Sequence, residues 1–266
     1  MTGGASHPVR RGDLSTASAL KLRVSKIVAS DAAGRLIGAL TRNRVRHLGV
    51  PFDVRSDDFS PRVRAQMFWG AYEGAETRMI HSFLTGATTV VELGSSLGVT
   101  TVHIAAMMAP GGHLVCVEAN PGLIPGLRDR TLPRIASLQV DLIHAAVTSH
   151  CGTTVLTVAP ETVGSHLGRP RPHEVTVQVP AMTLRDILQR TGVTDFDLVS
   201  DIEGAEVAFL LQDAGVLDGC RRGVVELHET TLGEEKVSVF DLIDAVAAAG
   251  FRIVSRHGPV VAFVRS

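Results

Sequence analysis

Two short segments in the second half of the chain concentrate the side chains capable of acid–base or metal chemistry. Ser200 to Glu206, SDIEGAE, carries Asp201, Glu203 and Glu206; Val224 to Thr230, VVELHET, carries Glu226, His228 and Glu229. Each follows a run of β-branched and apolar residues, so each is expected at a strand tip. Acids and an imidazole gathered on neighbouring tips act as a general base or hold a divalent cation such as Mg2+. The catalytic candidates are Asp201, His228 and Glu203, and the candidate metal ligands are Asp201, Glu226 and His228. Glu206 falls one turn into the helix expected from about Glu203 and reads as structural. Asp201 and Glu203 taken singly are also explained as acids at a helix N-terminus, a contribution of about 0.3–1 kcal/mol.

A third segment, Thr89 to Gly98, TVVELGSSLG, reads as strand, tight turn and helix start. Gly94 and Gly98 let the backbone turn sharply and approach a ligand. The spacing is not the Gly-x-Gly-x-x-Gly of dinucleotide sites, and Glu92 stands two places before the turn. A carboxylate there suits a cationic ligand better than a pyrophosphate, because like charges repel in a low-dielectric crevice. S-adenosylmethionine, with its sulfonium and ammonium, has that chemistry. The strand His113 to Val117 delivers Glu118 at its end, about 20 residues past the turn, where an acid hydrogen-bonds ribose hydroxyls.

Elements that position these groups follow from periodicity. Residues 1–16 are expected to be a disordered tail, 17–86 an N-terminal helical extension, and 87–266 the catalytic domain. Two helices are expected over 16–46, broken near Ser30–Asp31, the second packing Leu36, Ile37 and Leu40; residues 49–59 read as a loop. A longer helix, capped by Ser60 with Pro61 at its first position, is expected to run to about Leu84. It would place Trp69, Tyr72, Glu73 and Glu76 on one face, as a packing surface or a lid. From 89 onward strands at 89–93, 113–117, 139–144, 196–200 and 223–227 alternate with helices, as in a doubly wound, mostly parallel α/β sheet. The run 153–158 reads as a short β excursion, 165–173 as a substrate-facing loop, and the last strand as antiparallel.

Composition narrows the function classes. The 266 residues are 45% hydrophobic and 20% charged, with a formal net charge of -1. No overall field draws such a chain to nucleic acid or to a membrane, and no segment is long and apolar enough to span one. The N-terminal residues lack the apolar run of a secretory signal, so a cytoplasmic protein is expected. Cys116, Cys151 and Cys220 have neither disulfide nor zinc-ribbon spacing.

VVELGSSLGVTT, VEANP, DLVSDIEGAE and VVELHE, in that order and with a TLRDIL helix before the third, closely resemble the FkbM-type S-adenosylmethionine-dependent methyltransferases. The resemblance covers about 69–265 and is most specific at Asp-Ile-Glu-Gly-Ala-Glu. It implies a Rossmann-like fold and O-methylation of a hydroxyl on a sugar or polyketide-type small molecule. Implied cofactor residues are Glu92, Gly94 and Gly98 in the turn, Glu118 on ribose and Asp201 beside the reacting methyl; Ser95, Ser96, Ala119, Asn120 and Ala146 complete the expected cofactor site. Many members have a lysine two places before the aspartate, where this chain has Val199, so deprotonation falls to His228 and Asp201. Alternatives are a nicotinamide-dependent oxidoreductase, disfavoured by the glycine spacing, and a non-catalytic adenosyl-binding module. The N-terminal helices are plausible homodimer contacts.

Overall fold

The computed structural model describes residues 30–158, 165–167, 173–213 and 215–266. The tail and the first helix expected from the sequence lie outside them. The chain divides into two compact units, one built from residues 30–55 and 60–72, the other from 56–59 and 73–266. No helix among the described residues is long and apolar enough to cross a membrane.

In the smaller unit, helix α1 (Asp31–Thr41) is capped by the Ser30 hydroxyl and ends on Arg42 in the left-handed region. Only Ile37 of the expected apolar trio is buried; Leu36 and Leu40 are 61% and 76% exposed. An antiparallel hairpin follows, β1 (Arg44–His47) and β2 (Val50–Asp53), where a helix end and a loop were expected. Helix α2 (Pro61–Phe68) starts at Ser60 and Pro61 as read, but stops after eight residues. The single long helix expected over 60–84 is therefore two. Gly70 and Glu73 both have positive φ, 64° and 45°, and the second helix, α3 (Gly74–Phe83), begins beyond them. Trp69 is 57% exposed while Tyr72 and Glu76 are buried, so the four residues do not share a face.

The larger unit contains a seven-stranded sheet of β3 (Ala87–Leu93), β4 (Met108–Glu118), β5 (Gln139–His144), β9 (Phe196–Ser200), β10 (Cys220–Glu226), β13 (Phe251–His257) and β14 (Val260–Arg265). Its order is β13-β14-β10-β9-β3-β4-β5, with β14 antiparallel to both neighbours and the other pairs parallel. This is the doubly wound sheet expected from the alternating pattern. Val90, Val91, Leu114, Val115, Leu198 and Val224 are wholly buried, as central parallel strands covered on both faces require. Between β5 and β9 the chain adds a three-stranded sheet, β6 (Ala146–Val147), β7 (Gly152–Val158) and β8 (Val175–Met182).

Helix α4 (Val99–Met107) follows the glycine turn, and α5 (Leu184–Thr191) opens with a Thr183–Asp186 capping box. The segment expected as a helix over 121–130 is a string of short helical turns, Ile124–Gly126, Leu127–Thr131 and Leu132–Ile135. The helix expected from Glu203 is only α6 (Val207–Leu210). A hairpin not expected from the sequence, β11 (Thr230–Leu232) with β12 (Glu235–Val237), precedes α7 (Val239–Ala248).

Candidate active site

Strands β3 and β9 are neighbours that pair Leu93 with Ser200. From β3 the sheet continues through β4 to β5 on one side and from β9 to β10 on the other, so a crevice opens between their carboxyl ends. Gly94 lies in it with φ 89°, and a Cβ there would come 1.9 Å from the Asp201 carbonyl oxygen. The glycine is required for the turn to lie this close to the tip of β9. Asp201 N in turn donates to Leu93 O at 3.0 Å, and Gly94 N and Ser95 N donate to Val117 O at 2.9 and 3.1 Å. Gly98, φ 77°, makes its close approach to Thr131 rather than to the crevice.

The cleft at these strand ends lies within the larger unit and has Gly94, Ser96, Glu118, Ala119, Ala146, Asp201 and Glu203 in its wall. Groups follow the strand order along its floor: apolar Ala145, Ala146 and Val147 beyond β5, Glu118 at β4, the glycine turn at β3, Asp201 at β9. Leu156 of β7 and Leu167 add to the apolar part, so the inserted sheet supplies a wall. Ser165, His166 and Leu167 also line the cleft, at the start of the loop expected to face substrate. Ser165 Oγ accepts from Asn120 Nδ2 at 3.2 Å, and His166 exchanges two backbone hydrogen bonds of 2.9 Å with Thr157.

Glu118 is held by two backbone donors, Ser96 N at 2.7 Å on Oε2 and Asn120 N at 2.6 Å on Oε1. Burial raises its pKa against the pull of these donors. Each oxygen keeps lone pairs for further donors. Glu92 is placed differently from the sequence expectation: it is 1% exposed, is not in the cleft wall, and accepts from Ser95 Oγ at 2.8 Å and Thr101 Oγ1 at 2.8 and 3.0 Å. It ties the turn to α4. Burial pushes its pKa up to about 7, although the hydroxyl donors oppose the shift. Ser95, also buried, serves Glu92, while Ser96, φ 46°, presents its N–H to Glu118.

At the β9 end the acids crowd together. Burial, then the charge on Glu226, raises Asp201 well above the ordinary carboxylate value, with His228 opposing. His228 sits 3.7 Å from Asp201 and Glu203 and 3.8 Å from Glu226, through Nε2. Its Nδ1 lies 3.2 Å from Glu206 Oε1, which also accepts from Ile202 N at 3.2 Å. Burial works against the imidazolium, yet the hydrogen bond to Glu206 and the fields of Glu206, Asp201 and Glu203 outweigh it and raise the pKa to about 9. The residues predicted at the two strand tips are thus brought together, and Glu206 belongs with them as the group that orients His228. Glu73, expected on a lid helix, lines the same cleft and accepts from Thr100 Oγ1. Its signal was Thr100 and Glu73 converging across 27 residues, which no local pattern carries.

No curated protein matches the sequence. Among solved structures, a Streptococcus agalactiae protein of the NADB-Rossmann superfamily is 10% identical, with 71% of this chain and 65% of that one covered and a TM-score of 0.37. An uncharacterised Listeria monocytogenes protein is 10% identical, with 71% and 66% covered and a TM-score of 0.41. Aeropyrum pernix fibrillarin, solved with natively bound S-adenosyl-L-methionine, is 12% identical, with 71% and 72% covered and a TM-score of 0.41. The chain thus spans just under two thirds of the length of the first two. Residues 86–253, well over half of the chain, match the methyltransferase FkbM domain, and the chain belongs to that family.

Proposed function

We propose that the cleft binds S-adenosylmethionine and that the protein transfers its methyl group to a hydroxyl of a small molecule of sugar or polyketide type. The observation that carries the reading is the order of groups along the cleft: an apolar recess, then the buried acid Glu118, then the glycine turn, then Asp201. That sequence of surfaces suits an adenine, a ribose and a positively charged sulfonium in turn. Across three strand spacings it extends about 14 Å, room for a nucleoside with an amino-acid tail. No Lys or Arg is among the described residues in the cleft wall, which suits a cationic donor better than a pyrophosphate.

In the transfer, the acceptor's O–H bond breaks, its oxygen attacks the methyl in line, and the carbon–sulfur bond breaks with its electron pair left on sulfur. A methyl ether and a neutral thioether result. Alignment of oxygen and methyl in a cleft shielded from water contributes up to about 7–11 kcal/mol in favourable cases. Asp201, with the His228 imidazolium beside it, accepts the hydroxyl proton, a contribution of about 10²–10⁴-fold, or the two join Glu203 and Glu226 in holding a divalent cation that acidifies the hydroxyl. Val199, where many members have lysine, leaves no ammonium at this point of β9.

Calorimetric titration tests the cofactor assignment. One molecule of S-adenosylmethionine is expected per chain, and heat with a nicotinamide dinucleotide instead would refute it. Methyl-labelled cofactor supplied with an extract of the source organism is expected to yield a labelled small molecule. Cofactor binding with no labelled product would favour a binding module.

A further inference from the structure

Three carboxylate oxygens face Nε2 of His228: Asp201 Oδ1 and Glu203 Oε2 at 3.7 Å and Glu226 Oε1 at 3.8 Å. None is within ordinary hydrogen-bond distance of the ring. Nδ1, by contrast, is engaged by Glu206, whose side chain is fully buried, and this fixes which ring nitrogen is turned toward the three oxygens. Atoms that share one ion at about 2.0–2.5 Å are themselves about 3–4 Å apart, so the spacing is that of a coordination shell. A buried carboxylate behind the imidazole is the usual support of a metal-bound histidine.

Two further observations point to a ligand. Asp201 Oδ1 is buried and accepts no hydrogen bond among the described residues. Glu76, 3% exposed, is held well above the ordinary carboxylate range, first by burial and then by the charges of Asp201, Glu73 and Glu226. Asp201, Glu203, Glu206 and Glu226 pair with His228 and with no Lys or Arg among the described residues. Four carboxylates thus share one imidazole as their cationic partner among the described residues, more negative charge than a single imidazolium offsets.

We propose that Asp201, Glu203 and His228, whose ligand atoms all lie within 4.8 Å of one another, bind one first-row divalent cation of the manganese(II) type, with Glu226 as an added oxygen ligand. A set of carboxylates with a single imidazole favours manganese(II) over magnesium, which takes oxygen almost alone, and over zinc, which prefers more nitrogen or sulfur. Its role rests on the methyl-transfer reading: coordination positions left by the protein accept the acceptor hydroxyl and lower its pKa. The binding itself does not rest on that reading.

Manganese(II) chloride titrated into the full chain without cofactor, followed by the EPR signal of the free ion, is expected to show one site per chain saturating at micromolar metal. Asp201→Asn and His228→Gln should each weaken binding by more than about 100-fold, and Glu206→Gln by about 10–100-fold. The exposed Glu235→Gln should leave it unchanged. Pulsed EPR of the unsubstituted protein should show coupling to one imidazole nitrogen, a readout that needs no variant to fold. Absence of that coupling, saturation only at millimolar metal, or binding within threefold in His228→Gln overturns the proposal. S-adenosylmethionine affinity, measured separately by calorimetry, keeps failure of the metal site distinct from failure of the cofactor assignment.

Discussion

Replacing Glu92 by glutamine should stabilise the protein at alkaline pH and lose that advantage in acid. Glu92 is 1% exposed, and its pKa rises from 4.5 to about 7, chiefly through burial. The folded chain therefore holds more protons here than the unfolded chain between these values, and stability falls as pH rises through that window. At about pH 8 the folded state carries a buried anion at a cost of roughly 3 kcal/mol, the difference of about 2.5 pKa units at 1.36 kcal/mol each. Glutamine keeps the shape and removes the charge. Its amide exchanges the charge-assisted bonds from Ser95 and Thr101 for neutral ones, a loss of about 1 kcal/mol. A net gain of about 2 kcal/mol is expected at pH 8, or about 4–8 °C in Tm for a domain of this size. At about pH 5, where Glu92 is protonated in the folded state, the difference should shrink to zero or reverse. Thermal unfolding of both proteins at the two pH values measures it. A difference of the same size and sign at both would refute the assignment of the penalty to this carboxyl.

Other substitutions isolate single features of the site. Glu118→Ala removes the carboxylate proposed to accept the ribose hydroxyls and should weaken S-adenosylmethionine binding by about 10–100-fold in calorimetry, at about 1.5–3 kcal/mol for hydrogen bonds to a charged group. Gly94→Ala drives a Cβ to 1.9 Å from the Asp201 carbonyl at a φ of 89°, so the turn must separate from β9. Cofactor binding should vanish and stability fall by more than about 2 kcal/mol, read by denaturant unfolding. Asp197, in the interior of β9 with 1% of its side chain exposed, pairs with Arg221 and Arg222 at 3.1 and 3.0 Å. Asp197→Ala should cost about 2 kcal/mol of stability, because the half-exposed arginines can turn to water, while leaving cofactor affinity within threefold.

The strands were legible where short apolar runs alternated with helical stretches. Gln139–His144 and Phe196–Ser200 fall where the pattern puts them, and the antiparallel last strand follows from the two closing apolar runs. Local sequence failed where a turn lacked its usual residues. Leu48 and Gly49 form the two-residue loop of β1 and β2 with φ 43° and 91°, a geometry for which Asn-Gly is the expected signal. Gly70 and Glu73 interrupt the helix over 60–84 without a proline to announce it. In the site, the tips carrying Asp201 and His228 were legible because strand ends in a parallel sheet share one edge. The separate roles of Glu92 and Glu118 were not, since both are acids at strand ends, and only burial and donors distinguish them.

Glu92 and Glu206 are both buried acids one layer behind the cleft, and their surroundings explain why both positions carry charge-capable groups. Glu92 accepts hydroxyls from Ser95 and Thr101, so it fastens the glycine turn to the start of α4. Glu206 accepts the Ile202 amide and engages His228, so it fastens the loop after β9 to the segment after β10. Neither acid has to touch a ligand to matter, because each fixes residues proposed to do so. The two fastenings differ in what completes them. The hydroxyls around Glu92 satisfy it in the protein alone, whereas the acids around His228 leave Asp201 Oδ1 and one oxygen of Glu206 without hydrogen bonds among the described residues. Desolvation without matching donors is a cost that folding alone does not recover. A site that concentrates it at one end of a ligand cleft is stabilised by what binds there, so stability gained on addition of a cation and stability gained on addition of the adenosyl donor should be separately measurable, and each should be lost when its own residues are replaced.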